Sequence, residues 1–329
     1  MPLGSTLHIW CNYAFHPEAE QLLRRGIGAH RLSLAEGENT GVPPRARGKD
    51  PAASEADILL GQPEPAVLLA GRRVRWAEIT SAGYAAYDRD DLRQAMRARG
   101  AVLTNCSRVF DEGCAQHLAA MVLGLARELP RCLDNQRGER VWLHGEPRVG
   151  HRFLLNRQTV LIYGFGAIAR RLVEILRPLD MRIWGVRRVA RGDESVPILT
   201  EAEADVRLGE MDHVINVLPA NDSTPHFFDA GRFARCKPGA RFYNVGRGTT
   251  VEQTALLDAL RTGRLGAAFL DVTDPEPLPV EHPLWSTLNC YITPHIAGTH
   301  SNEEERLVQH FLANLAAFEA GRPLTDRVV

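Results

Sequence analysis

Residues 159–176 read TVLIYGFGAIARRLVEIL. A short β-branched and aromatic run, TVLIY, leads into Gly164-Phe165-Gly166-Ala167-Ile168-Ala169, and an apolar-periodic segment follows. This is the order strand, glycine turn, helix. The first glycine permits the tight turn, and the second lets a pyrophosphate approach the backbone at the positive end of the helix. Ala169 takes the third position, which needs only a small side chain for helix–strand packing. A glycine pattern alone says little. With a strand before it, a helix after it and a second strand, MRIWGV, at 181–186, it predicts a dinucleotide-binding unit.

Working outward, HVINVL, RFYNV, AAFLDV and CYITP continue the series, giving six strands that match a doubly wound sheet. The first hundred residues alternate in the same way (LHIWCN, PEAEQLLRRG, ADILLGQ, VRWAEIT) around a soft loop at 36–54, which predicts a second parallel sheet with covering helices. DEGCAQHLAAMVLGLARELP, residues 111–130, reads as a helix with Asp111 as N-cap, Pro130 as stop and Leu118, Val122, Ala126 and Leu129 at helical spacing. Its small residues suit either core packing or a subunit contact. The last helix, 301–321, opens with a capping box of Ser301 and Glu304, carries Leu307, Phe311, Leu315 and Phe318 on one side, and ends at Gly321.

At 329 residues the chain exceeds one compact core, so two domains are expected. With 44% hydrophobic and 24% charged residues the composition is that of a soluble globular protein. A net charge of -1 offers no electrostatic case for nucleic acid or an anionic membrane. No apolar run approaches the roughly 18 residues of a membrane span. MPLGSTLHIW has no secretory pattern. Six scattered cysteines predict neither a zinc site nor a disulfide framework and fit a reduced cytoplasm.

Ligands of such sheets lie beyond the carboxyl ends of the strands. Arg247 follows RFYNV, Asp271 and Glu276 follow AAFL, and His295 follows CYIT. Taken singly, the histidine reads as an ordinary surface or core residue, the arginine as a turn charge and the glutamate as a loop acid. Together they are a chemically complete set. Hydride addition to a 2-keto acid needs a proton for the carbonyl oxygen, a cation for the carboxylate and a means of polarising the carbonyl. His295 would be the acid/base, and Glu276 its carboxylate partner, held by Pro275 and Pro277. Arg247 would bind and polarise the substrate. Asp271 is placed to accept from a nicotinamide carboxamide.

IWGVRR, residues 183–188, ends the second strand of the unit. About twenty residues past the first glycine, an NAD-preferring fold presents an acid to the adenosine ribose. Here that position holds Arg187, with Arg188 beside it. Arginine attracts a 2′-phosphate, so NADP is the expected cofactor and NAD the alternative, a solvated turn being the bland reading of the pair.

The chain resembles the D-isomer-specific 2-hydroxyacid dehydrogenase family, which includes glyoxylate/hydroxypyruvate reductases, from about Val74 to Gly298. The motifs are GFGAIA, VLPANDST, NVGRGTTVEQTALLDAL, GAAFLDVTDPEPLPVEHPLW and TPHIAG. The resemblance implies a catalytic triad at Arg247, Glu276 and His295. It implies cofactor contacts at Gly164, Phe165, Gly166, Ala167, Ile168, Leu218, Pro219, Thr224, Val245, Gly246, Asp271 and Gly298, and no metal. It also implies a carboxylate-binding loop, ITSAGYAAYDR, acting through backbone N–H groups around Ala82 and Gly83. A Rossmann cofactor domain, 104–295, would be inserted in a flavodoxin-like substrate domain, 1–103 plus 296–329, with homodimers joined through the cofactor domains. Ala85 stands where many relatives carry an acid. The alternative function is a nicotinamide-sensing binding protein, like the corepressors that share the fold.

Overall fold

The computed structural model describes residues 6–35, 51–142 and 152–329. Residues 36–50 of the expected loop lie outside them, as do residues 1–5 of the N-terminal stretch read for a secretory pattern; the rest of that loop is not irregular, since Pro51–Glu55 is a short helix. The chain divides into two compact units, 1–110 with 300–329, and 111–299. The bounds expected from the sequence are 103/104 and 295/296. The first junction falls inside a helix, Ser107–Ala126, where composition gives no punctuation.

The first unit carries β1 (His8–Cys11), β2 (Arg31–Leu34), β3 (Ile58–Gly61), β4 (Trp76–Ile79) and β5 (Val102–Thr104), all parallel in the order β2-β1-β3-β4-β5. That is the flavodoxin-like order. The second carries β6 (Thr159–Tyr163), β7 (Arg182–Val186), β8 (Ile198–Leu199), β9 (His213–Asn216), β10 (Ala240–Asn244), β11 (Leu265–Leu270) and β12 (Cys290–Ile292). They form a parallel sheet in the order β12-β11-β10-β9-β6-β7-β8, the doubly wound dinucleotide arrangement with β12 and β8 at its edges. The sheet has seven strands where six were expected. The missed one, β8, has two half-buried residues and no apolar run long enough to read.

Both sheets bury side chains on both faces, which is why their strands read as continuous apolar runs. In the second, Leu161, Tyr163, Val214 and Phe242 face one core, and Val160, Ile162, Ile215 and Tyr243 face the other, the alternation a pleat requires. In the first, Ile9, Ile58 and Trp76 pack against Phe311 of the last helix, and Trp10, Leu59 and Leu103 line the opposite face. Trp76 stacks on Phe311 at 5.0 Å between ring centroids.

Three local expectations are corrected. The helix at 111 begins at Ser107, whose N–H and hydroxyl meet the Asn105 side chain, so Asp111 is no cap. Pro130 does not simply stop a helix; it lies in the first turn of the next one, Leu129–Arg137, where its missing N–H costs nothing. The last helix runs Glu303–Glu319 without the Ser301/Glu304 box, because the Glu304 carboxylate accepts the His16 backbone N–H at 2.6 Å. Among the described residues no helix is long and apolar enough to cross a membrane.

The last helix is fixed to the first sheet by a buried polar cluster. Glu78, wholly buried in β4, accepts from Thr104, from Asn314 at 2.7 Å and from His310 Nδ1 at 3.1 Å, with the Cys106 thiol at 3.9 Å. His310 Nε2 lies 3.3 Å from Asp326. Burial alone would lower the His310 pKa, but the two carboxylates outweigh it and raise it from 6.5 to about 9. The unfolded chain binds this proton less tightly, so the imidazolium contributes stability that is complete below pH 6.5 and lost as pH rises through about 9. The loss should be roughly 3 kcal/mol, from a shift of a few pH units at 1.4 kcal/mol each. Denaturant unfolding from about pH 6 to about pH 10 should record this decline. His310→Gln should flatten it, and a slope unchanged in the variant overturns the assignment.

Candidate active site

The glycine turn leaves β6 at the carboxyl edge of the second sheet. Gly164 has φ +91°, and a Cβ there would lie 2.6 Å from the Val217 carbonyl oxygen. Only glycine fits on both counts. Its N–H and that of Phe165 bond to Val186 O at the end of β7. The Phe165 ring is 2% exposed and fills the space over Gly185, whose own Cβ would strike it, so the ring is core and only its backbone borders the turn. Ala169 is fully buried against the sheet.

Gly166 differs. It is exposed, and a Cβ there would meet nothing within 4 Å. It caps the helix Ala167–Leu176 without a side-chain hydrogen bond. Among the described residues the N–H groups of Ala167 and Ile168 have no protein acceptor, as expected for the open first turn of a helix. This is a cradle that fits a dinucleotide pyrophosphate.

Beside it, β9 and β10 end on two buried asparagines in register, Asn216 and Asn244. Asn216 donates to Asn244 Oδ1 at 3.0 Å and to the Thr250 hydroxyl at 2.7 Å, and its own oxygen accepts the Leu218 N–H. Asn244 accepts from Gly246 N–H and donates to the Arg247 carbonyl, which also accepts from Thr250. The pair therefore shapes both the Leu218–Pro219 loop and the turn that carries Arg247. Gly246 is buried where a Cβ would lie 2.6 Å from Leu218 O, and Val245 is 7% exposed. Thr224 uses its hydroxyl inside its own turn, donating to Pro219 O at 2.8 Å, and is 6% exposed. Neither asparagine stands out among the polar residues of the sequence. Their signal was the matched Asn-Val at the ends of HVINVL and RFYNV.

Asp271 ends the next strand. Its carboxylate is 2% exposed and accepts from Thr293 Oγ1 (2.7 Å), Ile296 N–H (2.9 Å) and Ala297 N–H (2.9 Å). His295 N–H bonds to the Asp271 carbonyl at 2.8 Å, and His295 takes φ +53°. The imidazole then faces Glu276, Nδ1 to Oε2 at 2.8 Å, while Glu276 Oε1 accepts Thr273 N–H. Among the described residues His295 Nε2 has no protein partner, and the side chain is 51% exposed. The arrangement is a histidine held at one nitrogen by a carboxylate and open at the other. A second histidine, His117, also missed by sequence, reaches Thr293 Oγ1 at 3.1 Å and lies 3.7 Å from Asp271. Burial lowers its pKa against the pull of Asp271. Thr293 gives its proton to Asp271, so neutral His117 donates to Thr293 through Nε2.

Arg247 is half-buried, with Nη1 on Gly246 O at 2.6 Å, and no acid pairs with it among the described residues. Gly298 follows the His295 loop, its carbonyl packed on Gly113. Arg187 stands directly past β7, 18% exposed, bonded to Glu194 at 2.9 Å; Arg188 is exposed. In the first unit, the turn after β4 is held by Ser81 Oγ to Gly83 O at 2.7 Å and Asn105 to Ala82 O at 2.7 Å. Among the described residues the N–H groups of Ala82 and Gly83 have no protein acceptor.

Residues 119–297 match the family described as D-isomer specific 2-hydroxyacid dehydrogenase, NAD binding domain. A glyoxylate/hydroxypyruvate reductase B from Shigella boydii serotype 4 is 35% identical over 254 residues, 75% of this chain and 76% of that protein. An uncharacterised protein from Corynebacterium melassecola is 37% identical over 177 residues, 54% of this chain and 58% of that one. Among solved structures, a D-isomer specific 2-hydroxyacid dehydrogenase from Xanthobacter autotrophicus Py2, determined with NADPH and MES, is 25% identical. Its TM-score is 0.80, with 99% of this chain and 98% of that one covered.

The two glycines of the turn separate folding from binding. Gly164→Ala should lower stability by about 1–3 kcal/mol, because the residue is forced into a left-handed backbone against a carbonyl. Gly166→Ala should leave thermal unfolding unchanged yet weaken dinucleotide binding at least about tenfold, since its methyl projects into the cradle. Calorimetry and a binding titration on both variants check this, and a Gly166→Ala protein that binds normally contradicts the placement.

Proposed function

The chain belongs to the D-isomer specific 2-hydroxyacid dehydrogenase family, and we propose that it reduces small 2-keto acids through His295, Glu276 and Arg247. It is an oxidoreductase that uses NAD(P). The observation that carries the finer reading is the 2.8 Å bond between His295 Nδ1 and Glu276, which leaves Nε2 open at the carboxyl edge of the cofactor-type sheet.

A nicotinamide dinucleotide held at the Gly164–Ile168 turn would supply the hydride. The chain's own residues do the rest. His295 delivers a proton from Nε2 to the carbonyl oxygen as it becomes a hydroxyl, and Glu276 holds the ring and stabilises its protonated form. Arg247, with Nη1 on Gly246 O, keeps its other donors for the substrate's carboxylate and carbonyl oxygens. In the reverse direction the same groups take the proton from a 2-hydroxy acid. The unit 111–299 acts as the cofactor domain and the other as the substrate domain, in which the N–H groups of Ala82 and Gly83 are open to donate to an anion. Gly164, Gly166, Ala167, Ile168, Leu218, Pro219, Gly246, Asp271 and Gly298 border the dinucleotide. Glyoxylate and hydroxypyruvate are the first substrates to test, given the named activity of the Shigella relative.

The cofactor is NADPH in preference to NADH. Arg187 supports this at the ribose position, Arg188 adds an exposed cation, and the Xanthobacter relative holds NADPH. The working unit is a homodimer joined through the cofactor domains, a reading supported by Leu123, Leu129 and Leu133, which are 41%, 53% and 48% exposed. Scattered free thiols support a reducing cytoplasm.

Reduced-nicotinamide absorbance with a 2-keto acid panel should reveal turnover. His295→Ala should lower kcat roughly 10²–10⁴-fold, and Glu276→Gln should lower it less, both with cofactor affinity nearly intact. Loss of cofactor binding in His295→Ala would make the histidine structural. The KM for NADPH should lie below that for NADH and rise toward it in Arg187→Asp. Equal or better use of NADH by the unmodified protein removes the NADPH reading.

A further inference from the structure

Between β7 and β8 the chain builds an anion site and fills it with its own side chain. The Glu194 carboxylate is 4% exposed. Oε1 accepts from Arg187 Nη1 at 2.9 Å and from Arg191 N–H at 2.9 Å, and Oε2 accepts from Gly192 N–H at 2.9 Å. Arg170 Nη2 approaches to 3.9 Å while bonded to Asp193 at 2.6 Å. Two successive backbone N–H groups with a guanidinium are the donor set that receives phosphate oxygens in other proteins. These contacts hold the Glu194 carboxyl down to about 2, the Arg191 N–H foremost, so it is an anion at every working pH.

The location gives that anion a consequence. Arg187 directly follows β7, the strand whose end faces the adenosine ribose in this sheet order. Its guanidinium has five N–H donors and spends one on Glu194. A 2′-phosphate docking on the remaining donors would sit within a few ångströms of a fixed negative charge that water barely reaches. A ribose hydroxyl carries no charge and is not repelled by it. We propose that Glu194 is a specificity-determining residue that weakens binding of the 2′-phosphate at Arg187 and so sets how far the enzyme prefers NADPH over NADH. This rests on the reading of Arg187 as the 2′-phosphate ligand.

Cofactor affinity, measured without turnover, tests both readings separately. NADPH and NADH are titrated by nicotinamide fluorescence into the full chain, Glu194→Gln, Glu194→Ser and Arg187→Gln, with thermal unfolding run in parallel. Glu194→Gln keeps one oxygen for the Arg191 N–H, and Glu194→Ser removes the charge with an unrelated side chain, so a loop effect in one is exposed by the other. Removing one like charge at this distance should tighten NADPH about tenfold and leave NADH within about twofold. NADPH binding that is unchanged or weaker in both Glu194 variants, with Arg187→Gln still weakening it, overturns the role of Glu194 alone. NADPH binding unaffected by Arg187→Gln overturns the cofactor reading and the inference with it.

Discussion

A carboxylate sealed at the end of a strand has to be satisfied by whatever donors the chain can bring to it. Asp271 is that group. No arginine or lysine pairs with it among the described residues, and His117 nearby is kept neutral by burial. The charge is met instead by the N–H groups of Ile296 and Ala297 and the hydroxyl of Thr293. An unmet buried charge would cost several kcal/mol, so the segment 293–297 has little choice of path. His295 sits in the middle of that segment, in a left-handed conformation that is uncommon for residues other than glycine. The backbone position from which its ring reaches Glu276 is therefore set by neutralising Asp271.

The other half of the edge rests on neutral groups. Asn216 and Asn244 occupy the same level of adjacent strands, and each spends its amide on the loop that follows its own strand or its neighbour's. Strand register thus becomes loop register. Because the sheet fixes Asn216 against Asn244, the Leu218 and Arg247 backbones are fixed against each other through bonds of 2.7–3.2 Å. Glycine at 246 lets the two loops touch, where a methyl would meet Leu218 O. In Rossmann-type sheets the carboxyl edge is where function gathers, and here that edge is tied together by hydrogen bonds internal to the protein.

What could be read in the sequence was whatever the backbone demands of particular residue types. The turn at Gly164 announces itself because no other residue tolerates its φ and its neighbour Val217. Arg247, Asp271 and His295 were visible because each closely follows the end of an apolar strand, and Glu276 because two prolines flank it. The illegible parts were settled by partners remote in sequence. The capping box at Ser301 and Glu304 satisfied every local rule and still failed, since Glu304 found His16, 288 residues away. Helix 111–130 began early because the Asn105 side chain took the N–H and the hydroxyl of Ser107. β8 was too short for its pattern to register. Phe165 and Thr224 lay in the right motifs, yet their side chains are directed into the protein's own packing. A motif locates a backbone and leaves open where a side chain points.

The first unit is not continuous in sequence. Its sheet comes from residues before 105, while Phe311, His310, Asn314 and Asp326 arrive after the whole of the second unit. During synthesis, Trp76 and Glu78 leave the ribosome some 230 residues ahead of the aromatic and polar groups that cover them. The second unit, uninterrupted from 111 to 299, can close its sheet meanwhile. The nascent chain therefore holds a folded insert beside a half-built host with one open apolar face, the kind of species that chaperones bind. Completion of the host waits on the arrival of the last helix and the short tail that follows it.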